Sequence, residues 1–145
     1  MKALTIRQPW AAAIFLPDHA KDVENRSQRT QVTGIVAIHA GLRWDDEGQR
    51  TVFDLTRRMY IQAATGAVLG LVRVTGCHLS APGCCSSPWA QPGARVHITL
   101  SDPVKLPEPV PCRGAQGWWN LPLDVLRAVN EQLGQLVLAE AEARR

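Results

Sequence analysis

The sequence predicts a single α+β domain: a mixed β-sheet of five to six strands with flanking helices and a helix at the chain's end. Three observations carry this. Short apolar runs bounded by glycine or proline have strand length, two longer stretches space their apolar residues as helices do, and 145 residues is the length of one ordinary domain. A chain of that length buries a real core without metal or disulfide staples.

Taken in order, Ala3 to Arg7 alternates as a strand does, and Pro9 stands where a first helical residue often does, ahead of a short helix running to Leu16. Val23 to Arg26 is extended. Gly34 to Ala40 is a stronger strand that Gly41 bounds, and Asp45 to Ala64, with Val52, Leu55, Met59 and Ile61 among charges, fits an amphipathic helix stopped by Gly66. Ala67 to Leu79 is long enough for a central strand, and Val96 to Leu100 alternates cleanly. The segment Ser80 to Gly93 between them, rich in Pro, Ser, Gly and Cys, is a loop inside the domain. Pro103 to Pro111 is edge or irregular because each proline lacks a ladder donor, and Trp118 to Leu121 can then close the sheet. Val125 to Arg144 is the terminal helix, with Leu126, Val129, Leu133, Leu136 and Val137 on one face. Residues 1–145 are expected to form one domain, with residues 122–145 as its helical appendage.

Composition narrows the function. Apolar residues at 46% and charged residues at 20% exclude a disordered tail or a coiled coil as the whole chain. A net charge of +3 permits a polyanionic partner without requiring one. Apolar runs too short for a membrane span, and an amino terminus without a secretory apolar core, make a cytoplasmic protein the expectation, with no membrane partner. The four cysteines show no C-x-x-C spacing, so free thiols are expected. Cys77-His78 and Cys84-Cys85 suggest zinc ligands, but adjacent cysteines are poorly placed to chelate one tetrahedral ion, and neither a metal nor a cofactor is expected. No P-loop, G-x-S-x-G, H-E-x-x-H or Rossmann fingerprint is present.

The densest chemistry lies in Lys21-Asp-Val-Glu24-Asn25-Arg26. Glu24 and Arg26, two apart on an extended strand, share a face, and a turn brings Lys21 to them. Such a trio reads a nucleotide: a guanidinium fork grips phosphate or a base edge, the carboxylate accepts from an amine, and the ammonium adds a mobile charge. The same trio can catalyse, with Lys21 and Glu24 as proton carriers. Chemistry alone favours an ordinary solvated surface ion-pair group. Arg7, Gln8 and Trp10 add a guanidinium, an amide and an indole at a strand-to-helix junction whose amides favour anions. Arg113, Gly114 and Trp118 offer a close backbone approach and a stacking ring, while His39 ends an apolar strand, where histidines are more often structural.

The blocks M-K-A-L-T-I-R-Q-P-W-A, K-D-V-E-N-R-S, G-I-V-A-I-H-A-G and R-G-A-Q-G-W-W-N-L-P, in that order over nearly the whole chain, resemble those of ASCH-domain proteins. The resemblance implies a PUA-like β-barrel whose cleft is lined by the K-x-x-E-x-R element, here Lys21, Glu24 and Arg26, and which is associated with RNA, DNA or nucleotide-like ligands. Gln8 and Trp10 match the block beside the cleft, and Gly114 and Trp118 the late Gly-x-x-Gly-Trp element. The chain departs from the pattern at Ala20, Gln28 and Thr33. Small relatives that hydrolyse the amide of acetylated cytidine have threonine where Glu24 stands, which moves the expectation from amide hydrolysis towards binding. The leading expectation is a module that holds single-stranded RNA or DNA, or one nucleotide. The alternatives are a hydrolase of an N-acylated nucleoside or of RNA that uses Lys21 and Glu24, and a scaffold that assembles through the terminal helix.

Overall fold

The computed structural model describes residues 1–58 and 63–145. Among these, six strands form one mixed sheet: β1 (Lys2–Gln8), β2 (Val23–Arg26), β3 (Gly34–Trp44), β4 (Ala67–Leu79), β5 (Val96–Pro111) and β6 (Trp118–Asn120), in the order β2-β5-β4-β3-β1-β6. The helices are α1 (Trp10–Ala13), α2 (Asp46–Thr56) and α3 (Leu123–Ala143). Strands β1 and β3 run parallel; the other pairs are antiparallel. The α+β class and the mixed sheet are as the sequence predicts, and the architecture is consistent with a small barrel-like domain.

Alternation in the strands gives the sheet two covered faces. Leu4, Ile6, Val36, Ile38 and Ala40 turn to one side, where Ala11 and Ile14 pack on them with Val72, Val74, Ile98 and Leu100. Ala3, Ala37, Val68 and Leu71 turn to the other, beneath Val125 and Val129 of α3. Each valine that α3 buries contributes roughly 1.5–3 kcal/mol. The helix faces this sheet with Val125 and Val129 fully and Leu126, Leu133 and Leu136 in part, whereas Val137 and Leu138 stay about two-thirds exposed. The near half of α3 is therefore docked, and its last turns stand clear.

Two elements differ from expectation. The helix after Pro9 is a single turn, Trp10–Ala13, rather than a run to Leu16. The second helix stops at Thr56 rather than at Gly66: Arg57 adopts a left-handed conformation (φ 60°) and donates its N–H to Phe53 O, while the Thr56 hydroxyl bonds Val52 O and accepts from Arg58 N. A side chain competing for backbone groups ends the helix where apolar spacing alone would continue it. Met59 and Ile61 of the expected helix lie outside the described residues. The proline-rich segment is the second half of β5 and an edge of the sheet, as its prolines require. It pairs with β4 on one side only, with one register shift inside it and one at its start that bend the ladder.

A charged bond reinforces the curl of the sheet. Arg26 on β2 donates from Nη2 to Thr5 O on β1, 2.8 Å away, although β2 and β1 stand first and fifth in the strand order. The two can meet only if the sheet wraps round, and the concavity between them is the main cleft.

Candidate functional site: a basic cleft

The cleft encloses about 1360 Å³, more than the ~300–1,000 Å³ common for small-ligand pockets. It takes residues from β1, β2, the C-terminal half of β3, α2, Gln91 and residues 93–95, and residues 112–117. Of the residues singled out in the sequence, Lys21, Glu24, Arg26, Arg7, Trp10, His39, Arg113 and Gly114 line it.

Lys21, Glu24 and Arg26 converge. The Lys21 side chain is 1% exposed and Glu24 8%, while Arg26 keeps 30%. Lys21 Nζ donates to Glu24 Oε2, and Arg26 Nε lies 2.9 Å from Glu24 Oε1, so one carboxylate bridges two cations with an oxygen for each. Lys21 reaches the strand because the chain turns at residues 17–20 and Lys21 N bonds Ala13 O at 2.9 Å. Burial this deep argues against the solvated reading of the trio. A buried ion is tolerated only when paired and hydrogen-bonded: Lys21 donates to Glu24, and Arg26 forms an ion pair with the same carboxylate and donates from Nη2 to Thr5 O, although its Nε has no hydrogen-bond partner.

Trp10 forms a second wall. Its indole donates to Asp45 Oδ2 at 2.9 Å, its ring meets Trp89 edge-to-face, and it lies against Gly48, where a Cβ would sit 2.7 Å from the ring. Asp45 also caps α2 by accepting from Gly48 N at 3.0 Å. These bonds, the indole's first and the amide's second, hold its carboxyl below the usual carboxylate range.

His39 belongs to a hydrogen-bond relay across the third wall. Its Nε2 faces Cys112 O at 3.0 Å and must donate to it, which leaves Nδ1 to accept from the Thr5 hydroxyl at 3.3 Å; that hydroxyl in turn accepts the Trp119 indole N–H. Burial pushes the imidazole below its ordinary value, against the opposing pull of the Cys112 carbonyl. Burial also pushes the neighbouring Cys112 thiol up, with the Asp124 charge as the lesser cause. Gly114 packs so closely on His39 that a Cβ there would collide with the imidazole. With both ring nitrogens engaged, His39 fixes the Cys112–Gly114 wall.

Two of the residues singled out lie elsewhere. Gln8 is fully buried; its amide bonds Ala64 O through Nε2 at 2.7 Å and accepts Ala12 N through Oε1 at 3.1 Å. It thereby takes an amide of α1, and a single turn capped in this way is not the anion-binding helix terminus expected at Arg7 to Trp10. Trp118 packs against the core cluster and pairs with Leu4 in β6, away from the cleft lining.

Sequence reading misses Arg43, Arg95 and Asp45, all of which line the cleft. Arg43 belongs to the extension of β3 past Gly41, and Arg95 is the last residue before β5. Together, six cations (Arg7, Lys21, Arg26, Arg43, Arg95 and Arg113) face three carboxylates (Glu24, Asp45 and Glu47). The excess equals the chain's entire formal charge of +3, so charges outside the cleft cancel. No protein-family model matches the chain, and no curated protein matches it.

Proposed function

We propose that the chain is an ASCH-type, PUA-like module, cytoplasmic in setting, that binds single-stranded RNA or DNA, or a modified nucleotide, in this cleft. The observation that carries the reading is the gathering of the whole net positive charge into one concave surface large enough for more than a single small ligand. Arg7, Arg43, Arg95 and Arg113 are exposed or partly so and meet phosphates. The partly exposed Arg26, held by Glu24 and Thr5 O, supplies a pre-oriented fork at the cleft's base.

The experiment is a fluorescence-anisotropy titration of short labelled RNA and single-stranded DNA over a range of salt. Affinity falls with salt, and Arg113→Ala together with Arg43→Ala lowers the log–log slope by about 0.7 for each phosphate that is no longer neutralised. These arginines are better probes than Lys21, whose removal disturbs the fold. A folded double variant with unchanged affinity and slope refutes the reading.

The hydrolase alternative draws support from the buried Lys21–Glu24 pair on the cleft wall. Against it, each Glu24 oxygen already faces a cation and the side chain is only 8% exposed, which restricts the approach of a substrate or water to it. Chromatography of acetylated cytidine and of labelled RNA after incubation separates the two: product with the wild type and none with a Lys21→Ala variant that circular dichroism shows to be folded favours hydrolysis, and no product from either substrate with the wild type refutes it.

A further inference from the structure

Beyond the cleft, the hairpin of β4 and β5 brings together four side chains with the chemistry of a metal centre. His78 on β4 and His97 on β5 are directly opposed in the ladder, and Cys84 and Cys85 come from the loop that joins the two strands. One ligand atom from each lies within 4.8 Å of all the others. The finer distances are more telling: Cys84 Sγ to Cys85 Sγ is 3.8 Å, and the two sulfurs are 3.4 and 3.6 Å from His97 Nδ1. Tetrahedral zinc, with Zn–S near 2.3 Å and Zn–N near 2.0–2.1 Å, requires edges of about 3.8 Å between sulfurs and about 3.6 Å between sulfur and nitrogen.

Two independent features point to a ligand. His97 Nε2 lies 3.1 Å from Gln91 O and must donate to it, which fixes the tautomer with a bare lone pair on Nδ1, aimed at the thiols. Metal-bound histidines are oriented in this way, through a carbonyl on the far nitrogen. His78 Nε2 is buried without a hydrogen-bond partner, a cost that a fourth bond to an ion would remove.

We propose that His78, Cys84, Cys85 and His97 form a Cys2His2 site for zinc. Four protein ligands close the tetrahedron, so the metal is structural and staples the loop to the hairpin. This runs against the expectation that adjacent cysteines are poorly placed to chelate one tetrahedral ion. In a strand they would point to opposite faces, but Cys84 and Cys85 lie in the loop, where Cys84 N bonds Ala81 O and Gly83 takes a positive φ of 72°, and both sulfurs turn towards His97. The stapled loop continues into the cleft wall at Gln91 and Arg95, and Asn25 ties it to β2 by donating to Trp89 O and accepting from Gln91 N.

The test uses the full chain, reconstituted with zinc and freed of excess by desalting. Elemental analysis is expected to find one zinc per chain. The cobalt-substituted protein should show tetrahedral visible bands with thiolate charge transfer in the near ultraviolet. Cys84→Ser with Cys85→Ser should abolish both signals. His78→Gln, which alters one half-buried ligand, should lose zinc on desalting while its circular dichroism is unchanged, a check that stands if the double variant fails to fold. A wild-type chain that retains no zinc, or an octahedral cobalt spectrum, overturns the proposal, as does zinc retention unchanged in folded His78→Gln.

Discussion

Replacing Glu24 with glutamine tests whether the Lys21–Glu24–Arg26 cluster is a buried charge network. The amide keeps the shape and removes the negative charge between two cations. Lys21, 1% exposed, then has no counter-charge. Removing one partner of a buried pair typically costs about 3–5 kcal/mol. The Arg26 link adds at most ~1 kcal/mol, because its 30% exposure lets water screen the pair. A loss of about 4 kcal/mol is a large part of the roughly 7–20 kcal/mol that a chain of this length possesses. It corresponds to a fall in melting temperature of roughly 8–16 °C. Urea unfolding read by tryptophan fluorescence and by circular dichroism measures it. Lys21→Met should cost less, since Glu24 keeps Arg26, and Lys21→Met combined with Glu24→Gln should cost less than the sum of the two. A loss below about 1 kcal/mol for Glu24→Gln, or strict additivity in the double variant, refutes the network.

Other outcomes follow from the same geometry. Gly114→Ala forces a methyl group onto His39 and to 2.9 Å from the Thr5 hydroxyl, and should destabilise by about 1–3 kcal/mol in thermal unfolding. Asp45→Ala removes the cap of α2 and the acceptor of Trp10, at a cost of about 1–2 kcal/mol, yet it deletes a carboxylate from the cleft; oligonucleotide affinity should rise while stability falls, as anisotropy and urea midpoints would show. Stability should also decline in acid in two steps. Folded His39 takes a proton less readily than the unfolded chain does, so its contribution is complete above the ordinary value of 6.5 and diminishes as pH falls through it; Asp45, held low when folded, adds a second loss below 3.8. Urea midpoints across pH should lose the first step in His39→Gln and the second in Asp45→Asn.

Short apolar runs locate the strands well, because alternation is a local property that burial on two faces enforces. The ends are less legible. The stop of α2 depends on Thr56 capturing backbone groups, and the extension of β3 to Trp44 follows from pairing with β1, neither of which apolar spacing encodes. The charged trio is visible because its members are close in sequence. Arg43 and Arg95 are not, since they reach the cleft from points 52 residues apart in the chain. Spacing alone argues against the zinc-type cluster, because His97, which completes it, joins only through the strand register.

The two longest strands, β4 and β5, lie inside the sheet, and its outer strands β2 and β6 are only four and three residues long. Beyond the four residues of β5 that β2 covers, Pro103, Pro107, Pro109 and Pro111 have no N–H to offer. Between them, the Gln132 side chain of α3 bonds both Glu108 N and Glu108 O, as a neighbouring strand would. Among the described residues, these two edges thus present little free ladder to another copy of the chain. If β2 frays, Val96–Thr99 lose their cover, and if α3 detaches Glu108 does, so strand-to-strand aggregation would begin at β5.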